Sequence, residues 1–155
     1  MGSRDKEVVY IDMDGVLVDF LSGVGRMSDE ERNEYAESPE DLPGIFTRMD
    51  PIPGAIEAAK RLAKKFDVYV LSTAPWANPS AWTDKVLWIK KYFGNDEDSV
   101  FYKRVILSHH KDLNHGDYLI DDRLAQGAED FKGKHIFFNT DEFPDWESVL
   151  RFLDC

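Results

Sequence analysis

Cysteine is almost absent from this sequence: of 155 residues, only the last, Cys155, is a cysteine. A chain with one cysteine forms no disulfide within itself and cannot build a cysteine-based zinc site. Disulfide-stabilised secreted folds are therefore excluded, and the cysteine usage suits a reducing compartment. Because the N-terminal residues also lack an apolar signal core, the cytoplasm is the expected location.

Long hydrophobic runs and basic residues are also scarce. No stretch approaches the roughly 18 consecutive apolar residues that a membrane-spanning helix requires. Lys and Arg together number 19 against 30 Asp and Glu, which gives a formal net charge of −11. Such a surface repels nucleic-acid backbones and anionic membranes, so neither a nucleic-acid polymer nor a membrane is expected as a partner. A homodimer is left open by the sequence.

The remaining composition, 43% apolar and 32% charged, is that of one globular domain spanning residues 1–155. Short apolar runs rich in β-branched residues predict buried strands at 8–11, 68–71, 105–107, 118–120 and 135–138. Helical spacing of apolar residues predicts helices from Pro53, from about Pro79 to Tyr92, after Asp122 and around Trp146. Strands that alternate with helices indicate a Rossmann-like parallel α/β sheet flanked by helices.

Residues 19–50 interrupt this alternation. They are polar, they include the acidic run Asp29-Glu30-Glu31, and they hold too few apolar residues for a core of their own. We therefore predict a small helical cap, inserted after the first strand, over a core formed by about 7–18 and 51–155.

The candidate catalytic residues follow the predicted strands directly. Ligands of open α/β sheets bind at the carboxyl ends of the strands, so the polar residues at these ends indicate the site. Two acidic pairs, two hydroxyls and one amine are expected there: Asp12 and Asp14, Asp121 and Asp122, Ser72 and Thr73, and Lys85 on the following helix.

These residue types fit phosphoryl transfer. The Asp12 carboxylate can attack phosphorus and form an acyl-phosphate, which divides one difficult displacement into two easier ones. Asp14, held close by the turn at Gly15, can protonate the leaving oxygen and then deprotonate the hydrolytic water. Thr73 can hydrogen-bond a phosphoryl oxygen, and Lys85 can neutralise negative charge. Because several carboxylates beside a phosphate would repel it, Mg²⁺ is the expected cofactor.

Four segments in this order resemble the motifs of the haloacid dehalogenase-like (HAD) phosphohydrolases. They are Asp12-Met13-Asp14-Gly15-Val16-Leu17, Leu71-Ser72-Thr73, Lys85 and Ile120-Asp121-Asp122-Arg123. The stretches Val18-Asp19-Phe20, Asp50-Pro51-Ile52-Pro53-Gly54, Thr73-Ala74-Pro75 and Lys90-Lys91-Tyr92-Phe93-Gly94 resemble the 5′(3′)-deoxyribonucleotidases within that superfamily.

The resemblance implies a phosphomonoesterase that acts on nucleoside monophosphates, deoxy forms in particular. It implies that Mg²⁺ is held by Asp12, the Asp14 carbonyl and Asp121, with Asp122 in support. It also implies that Phe20 and Phe46 stack on the base. Further substrate contacts are predicted at Thr73, Ala74, Trp76 and Lys85, although the cap lacks an aromatic-rich stretch found in better-known members.

Several alternatives remain at this point. Lys111, in the loop before the fourth predicted strand, competes with the favoured Lys85 for the role of catalytic amine. The substrate could be another small phosphomonoester such as a sugar phosphate. A phospho-accepting signalling module uses similar residues, but in a different chain order. His109, His110 and His115 are interpreted as loop residues rather than as a transition-metal site, since they lack helical spacing.

Overall fold

The computed structural model describes residues 6–155, which form a parallel sheet, a two-stranded ribbon and five α-helices. The strands are β1 Val8–Ile11, β2 Val18–Asp19, β3 Asp50–Pro51, β4 Asp67–Ser72, β5 Val105–Leu107, β6 Tyr118–Asp121 and β7 Lys134–Phe137. The helices are α1 Phe20–Val24, α2 Asp29–Glu34, α3 Ala55–Ala63, α4 Pro79–Phe93 and α5 Trp146–Phe152.

Five strands pair in the order β5-β4-β1-β6-β7, and every pairing is parallel. All five predicted strands are confirmed within one or two residues at each end, and with them the parallel α/β class. The last residue of β1, Ile11, lies opposite Val70 of β4 and Ile120 of β6. Because the three central strands are in register, their carboxyl ends meet at one edge of the sheet.

The core lies on both faces of β1. Val9 and Ile11 are fully buried within the larger apolar cluster, to which α3, α4 and α5 contribute, whereas Tyr10 belongs to a smaller cluster on the other face. Burial of both faces explains why the strand is continuously apolar, since alternation would leave polar side chains inside. Within residues 6–155, no helix combines the length and the apolar character that crossing a membrane would require.

Helix α4 is the element that carries Lys85 into the protein. It begins at Pro79, whose fixed φ suits a first helical position, and ends at Gly94, which has a φ of +100°. The predicted helix is confirmed and extends one residue further, to Phe93. Its buried face includes Trp88 and also Lys85, so one cation is placed among apolar side chains.

The helix predicted after Asp122 is wrong. Gln126 and Gly127 have φ values of +56° and +87°, and two consecutive residues in the left-handed region interrupt any right-handed helix. Only a short 3-10 turn, Ala128–Asp130, forms in this segment, and Leu124, expected on a buried face, is 54% exposed. The Gln126 carbonyl instead accepts a hydrogen bond of 2.8 Å from the Lys111 backbone N–H, which joins two loops.

The segment 19–50, hereafter the cap segment, contains α1, α2 and two 3-10 turns, Pro39–Asp41 and Ile45–Arg48. It is attached to α4 by the Trp88 indole N–H, which donates to the Met49 carbonyl at 3.0 Å. The predicted helical content of this segment is therefore confirmed. That it forms a cap distinct from the core stays a prediction.

An ion pair joins helix α2 of the cap segment to the 3-10 turn Ile45–Arg48. Arg48 donates to both carboxylate oxygens of Glu31, at 2.8 and 2.9 Å, and Glu31 also completes a capping box with Ser28 at the start of α2. The hydrogen bond from Arg48 lowers the pKa of Glu31 from 4.5 to about 2, with the Ser28 backbone N–H as a further contribution.

This pair gives a pH-dependent stability. A carboxyl group whose pKa is lower in the folded state stabilises the fold above its unfolded pKa and loses that effect as the pH falls. We expect Glu31→Gln to lower the melting temperature at pH 7, and the difference from the unchanged protein to shrink as the pH falls from 4.5 towards 2. Thermal melts across this range measure it. Glu34→Gln on the same exposed helix is the control, and a difference independent of pH would contradict the assignment.

Candidate functional site

The carboxyl edge of the sheet brings together the side chains that the sequence placed there. Asp12 follows β1 directly, Thr73 follows β4, and Asp121 is the last residue of β6. The Asp12 backbone N–H donates to the Ile120 carbonyl at 2.9 Å, and this bond fixes the ends of β1 and β6 relative to each other. The site therefore rests on the most buried strands of the protein.

Three carboxylates converge at this edge. Oxygen atoms of Asp12, Asp121 and Asp122 all lie within 4.8 Å of one another. Asp12 and Asp121 are buried. Burial, followed by the nearby charge of Asp12, raises the pKa of Asp121 to about 7 and that of Asp122 to about 6. Ionised carboxylates at this distance need a cation, and oxygen ligands of this kind suit Mg²⁺.

Two further observations support a cation at the acidic cluster. Asp122 Oδ1 is buried and has no hydrogen-bond partner among residues 6–155, so one ligand atom is unsatisfied. Gly15, at a φ of +79°, passes so close that a Cβ there would lie 2.1 Å from Asp122 Oδ2. Glycine is thus required both for the backbone conformation and for the position of Asp122. The residues present therefore fit the ion.

Lys111 lies inside the acidic cluster. Its Nζ is 3.1 Å from Asp12 Oδ1 and 2.6 Å from Asp121 Oδ2, and the side chain is buried. These two carboxylates raise the pKa of the Lys111 amine, although burial acts in the opposite direction as the largest single effect. Lys111, the alternative to Lys85 as catalytic amine, is thus in direct contact with the expected nucleophile.

Lys85, the favoured amine, reaches the other carboxylate. Its Nζ lies 3.0 Å from Asp14 Oδ2 and 2.8 Å from the Ser72 hydroxyl. Burial raises the pKa of Asp14, whereas the charge of Lys85 opposes that rise. The structure brings both lysines into the site but places them beside different carboxylates. A catalytic role for Lys85 stays a prediction.

An open cavity of about 960 Å³ lies beside the acidic cluster. Asp14, Asp122 and Thr73 lie on its wall, and Thr73 Oγ1 donates to the Ser108 carbonyl at 2.7 Å. The cap segment contributes Asp19, Phe20, Leu21, Glu40 and Asp41 to the same wall. The cavity therefore joins the chemistry-bearing edge of the sheet to the cap segment.

The predicted substrate contacts divide into two groups. Phe20, Thr73, Ala74 and Trp76 line the cavity, and Trp76 is 82% exposed. Phe46 does not line it: this ring is 2% exposed and packs between Phe20 and the Lys85 amine. Phe46 cannot stack on a base from that position without a rearrangement. A second apolar residue of the cap segment, Leu21, lines the cavity beside Phe20 and is 74% exposed.

His109 is a cavity residue that sequence reasoning did not select. Its ring centroid lies 5.9 Å from that of Trp76, in an edge-on arrangement, and 5.8 Å from that of Trp82, so it packs between the exposed indole and α4. Its position in the sequence could have identified it, because Ser108 and His109 follow the end of β5 as Thr73 follows the end of β4. His109 lies in a loop, as predicted, and its exclusion as a transition-metal ligand stays a prediction.

Comparison with known proteins points to one family. The sequence model of the family "5′ nucleotidase, deoxy (pyrimidine), cytosolic type C protein" matches residues 41–152. A protein of Vibrio phage KVP40, provisionally named a 5′(3′)-deoxyribonucleotidase, is 56% identical over 149 residues, which cover 96% of this chain and 85% of the phage protein. The human mitochondrial 5′(3′)-deoxyribonucleotidase is 30% identical over 177 residues, which cover 95% of this chain and 70% of that protein.

Solved structures give the fold. A provisionally named HAD-hydrolase of Bacillus subtilis, crystallised with bound magnesium, superposes with a TM-score of 0.64 at 10% identity, covering 98% of this chain and all of the other. A HAD-superfamily hydrolase of Geobacter sulfurreducens superposes with a TM-score of 0.58 at 11% identity, covering 99% of this chain and all of the other. At such identities the likeness shows a shared HAD-like architecture.

Proposed function

The chain belongs to the cytosolic type C family of deoxy (pyrimidine) 5′-nucleotidases, and on that premise we propose that it hydrolyses nucleoside monophosphates in a Mg²⁺-dependent reaction through an aspartyl-phosphate at Asp12. Family membership makes it a phosphatase of the HAD type. The observation that carries the proposed mechanism is the position of Asp12, buried against Lys111 and within 4.8 Å of two further carboxylates, at the end of the central strand.

Asp12 would act as the nucleophile. One carboxylate oxygen forms the bond to phosphorus as the bond from phosphorus to the leaving oxygen breaks. Lys111, at 3.1 Å from this carboxylate, limits its rotation and lowers the repulsion between it and an approaching phosphate. Thr73 lies on the wall of the small pocket that also contains Asp12, and its hydroxyl would donate a hydrogen bond to a phosphoryl oxygen in place of the Ser108 carbonyl.

Asp14 would move the protons. It lies on the cavity wall two residues after the nucleophile, and its raised pKa favours the protonated form that a general acid needs. In the first step its proton passes to the oxygen of the leaving alcohol. In the second step the resulting carboxylate takes a proton from the water that attacks the aspartyl-phosphate, which releases inorganic phosphate and restores both groups.

Mg²⁺ would be held by Asp12, Asp121 and Asp122, with the Asp14 carbonyl as the further ligand that the family resemblance implies. When bound, the ion supplies positive charge that offsets the carboxylates and the phosphate. Asp121 Oδ1 also accepts a hydrogen bond of 3.1 Å from the Arg123 backbone N–H, so the orientation of this ligand is fixed by its own loop.

The remainder of the cavity suits a nucleoside. Trp76 exposes most of its ring on the wall and is supported by His109, while Leu21 exposes an apolar side chain from the cap segment. A large exposed aromatic face inside a cavity is typical of a stacking surface for a planar base. The cytoplasm remains the expected compartment for such an enzyme.

A panel of phosphomonoesters tests this function. We expect release of inorganic phosphate from dUMP and dTMP in the presence of Mg²⁺, and loss of that activity with EDTA. Trp76→Ala should lower kcat/KM for these nucleotides by about 5- to 100-fold, the range expected for one lost stacking contact. The same variant should leave deoxyribose 5-phosphate, which has no base, unaffected.

Leu87→Ala is the matched control for Trp76→Ala, because Leu87 is an exposed apolar residue of α4 that does not line the cavity. Turnover of sugar phosphates with none of dUMP or dTMP would remove the nucleotidase proposal. An equal fall on substrates with and without a base would remove Trp76 as the stacking residue.

A further inference from the structure

Lys85 is a buried cation with an unusual set of partners. The side chain is 0% exposed, and Lys85 lines neither the large cavity nor the small pocket beside Asp12. Its Nζ contacts Asp14 Oδ2 at 3.0 Å, the Ser72 hydroxyl at 2.8 Å and the ring of Phe46 at 4.7 Å from the centroid. In this arrangement the amine is directed at Asp14, Ser72 and Phe46 and not at the wall of the cavity.

Phe46 links this amine to the cap segment. The ring belongs to the 3-10 turn Ile45–Arg48, and its centroid lies 6.0 Å from that of Phe20, which lines the cavity. A continuous series of contacts thus runs from the cavity wall through Phe20, Phe46 and Lys85 to Asp14. Because the interior is closely packed, movement of one member would disturb the next.

We propose that Lys85 and Phe46 are positioning residues for Asp14, and that through them the cap segment controls proton transfer to the leaving group. The proposal rests on the function proposed above, in which Asp14 protonates the leaving oxygen. The ammonium group restrains one carboxyl oxygen, Oδ2, and so fixes the rotamer of a side chain that lies on the cavity wall. The other oxygen, Oδ1, is buried and has no hydrogen-bond partner among residues 6–155.

The ring of Phe46 keeps the ammonium group in place. Among the described residues, the ion pair of Lys85 is with Asp14 alone, and Ser72 adds a neutral oxygen. An aromatic face supplies the remaining favourable electrostatic environment for a buried cation without offering a second carboxylate that would compete with Asp14. Phe46 thereby leaves Asp14, protonated or ionised, as the one carboxyl group among the described residues to which Lys85 donates.

A lysine in such a site can have one of two chemical roles. A lysine that binds the transferring phosphoryl group lowers the barrier for every phosphate ester. A lysine that acts through the general acid matters only when the leaving group needs a proton. Alcohols such as deoxyribose are poor leaving groups and need one, whereas dinitrophenolate is stable as an anion and does not.

The experiment measures kcat/KM for a nucleoside monophosphate and for 2,4-dinitrophenyl phosphate in the Mg²⁺-loaded enzyme. The ratio kcat/KM reports the steps up to departure of the leaving group, so hydrolysis of the aspartyl-phosphate does not enter it. The variants are Lys85→Met, which keeps an unbranched side chain of nearly the same length without the charge, and Phe46→Leu, which keeps an apolar side chain without the aromatic face.

We expect Lys85→Met to lower kcat/KM for the nucleotide by roughly 10- to 100-fold, part of the usual contribution of a general acid. Phe46→Leu should lower it by about 2- to 30-fold, the range of one cation–π contact. Both variants should change kcat/KM for the dinitrophenyl ester by less than about 2-fold. Phe101→Leu is the matched control, because Phe101 is as buried as Phe46 but packs on Phe93, at the far end of α4.

An equal fall on both substrates would overturn the proposal, because it indicates direct phosphate binding or a damaged fold. A Phe46→Leu enzyme that behaves like Phe101→Leu would remove the cap segment from the mechanism. Failure of the proposed function is a separate result: in that case the unchanged enzyme would release no phosphate from the nucleotide at all.

Discussion

Asp12→Asn is expected to abolish release of phosphate from nucleoside monophosphates while the protein stays folded. The amide nitrogen and oxygen occupy the space of the carboxylate but cannot form the acyl-phosphate, so kcat should fall by at least about 10³-fold. Folding should survive, because Lys111 retains Asp121 at 2.6 Å and one of three crowded carboxylates loses its charge.

Phosphate release and thermal melting of the same preparation measure both halves of this prediction. The melting temperature should stay within about 4 °C, the shift that corresponds to roughly 1 kcal/mol in a domain of this size. Asp98→Asn, in an exposed loop, is the control for the substitution itself. Activity retained by Asp12→Asn would contradict the assignment of Asp12 as the nucleophile. An unfolded variant would contradict the claim that the fold tolerates loss of one charge from the three crowded carboxylates.

Lys111→Met is expected to have the second largest effect, on stability as well as on activity. It leaves Asp12 and Asp121 buried without the cation that separates them, and removal of one partner from a buried ion pair destabilises by about 3–5 kcal/mol. We expect a loss of unfolding free energy at the lower end of this range, about 3 kcal/mol. Asp121 has a pKa raised to about 7, so it can take up a proton and relieve the repulsion from Asp12.

Urea unfolding at pH 7 measures this loss, and phosphate release measures the accompanying loss of activity. Lys132→Met, at an exposed position, is the comparison and should cost less than about 0.5 kcal/mol. The loss in Lys111→Met should be larger at pH 9 than at pH 6, because Asp121 is then ionised and cannot relieve the repulsion. Equal stability of the two variants would show that Lys111 does not balance the acidic cluster.

The position of the site could be read from the sequence because it depends on a simple rule. Short β-branched apolar runs form the strands of a parallel sheet, and the residue after such a run lies at the carboxyl edge. Asp12, Thr73 and Asp121 each follow from a strand end alone, and all three are found at the same edge of the sheet. His109 obeys the same rule after β5 and was overlooked because it was weighed only as a transition-metal ligand.

The choice between the two lysines could not be read in this way. Lys111 is placed by contact between two loops: its backbone N–H donates to the Gln126 carbonyl, and Gly127 packs so closely that a Cβ there would lie 2.7 Å from the Lys111 nitrogen. Neither loop has a periodic pattern. Gln126 and Gly127, which contact Lys111, both have a positive φ. Their left-handed conformation also prevents the helix that was predicted after Asp122.

The position of Phe46 depends on packing between distant parts of the chain. Resemblance placed this ring against the base, but in the fold its face covers the amine of Lys85, which belongs to another element. A sequence shows that an aromatic residue is present and apolar, whereas its partner depends on how the cap segment packs on α4. Long-range contacts of this kind decide the substrate side of the cavity, so base preference is the least predictable part of the site.

Trapping the covalent enzyme during turnover decides whether Asp12 is the nucleophile. The protein would be mixed with a nucleoside monophosphate labelled in its phosphate and Mg²⁺, quenched in acid within the first turnover, digested and mapped by mass spectrometry. The mechanism predicts one phosphoryl group on the peptide that contains Asp12, and none in Asp12→Asn. A phosphoryl group on another residue, or turnover without any covalent phosphoprotein, would contradict it.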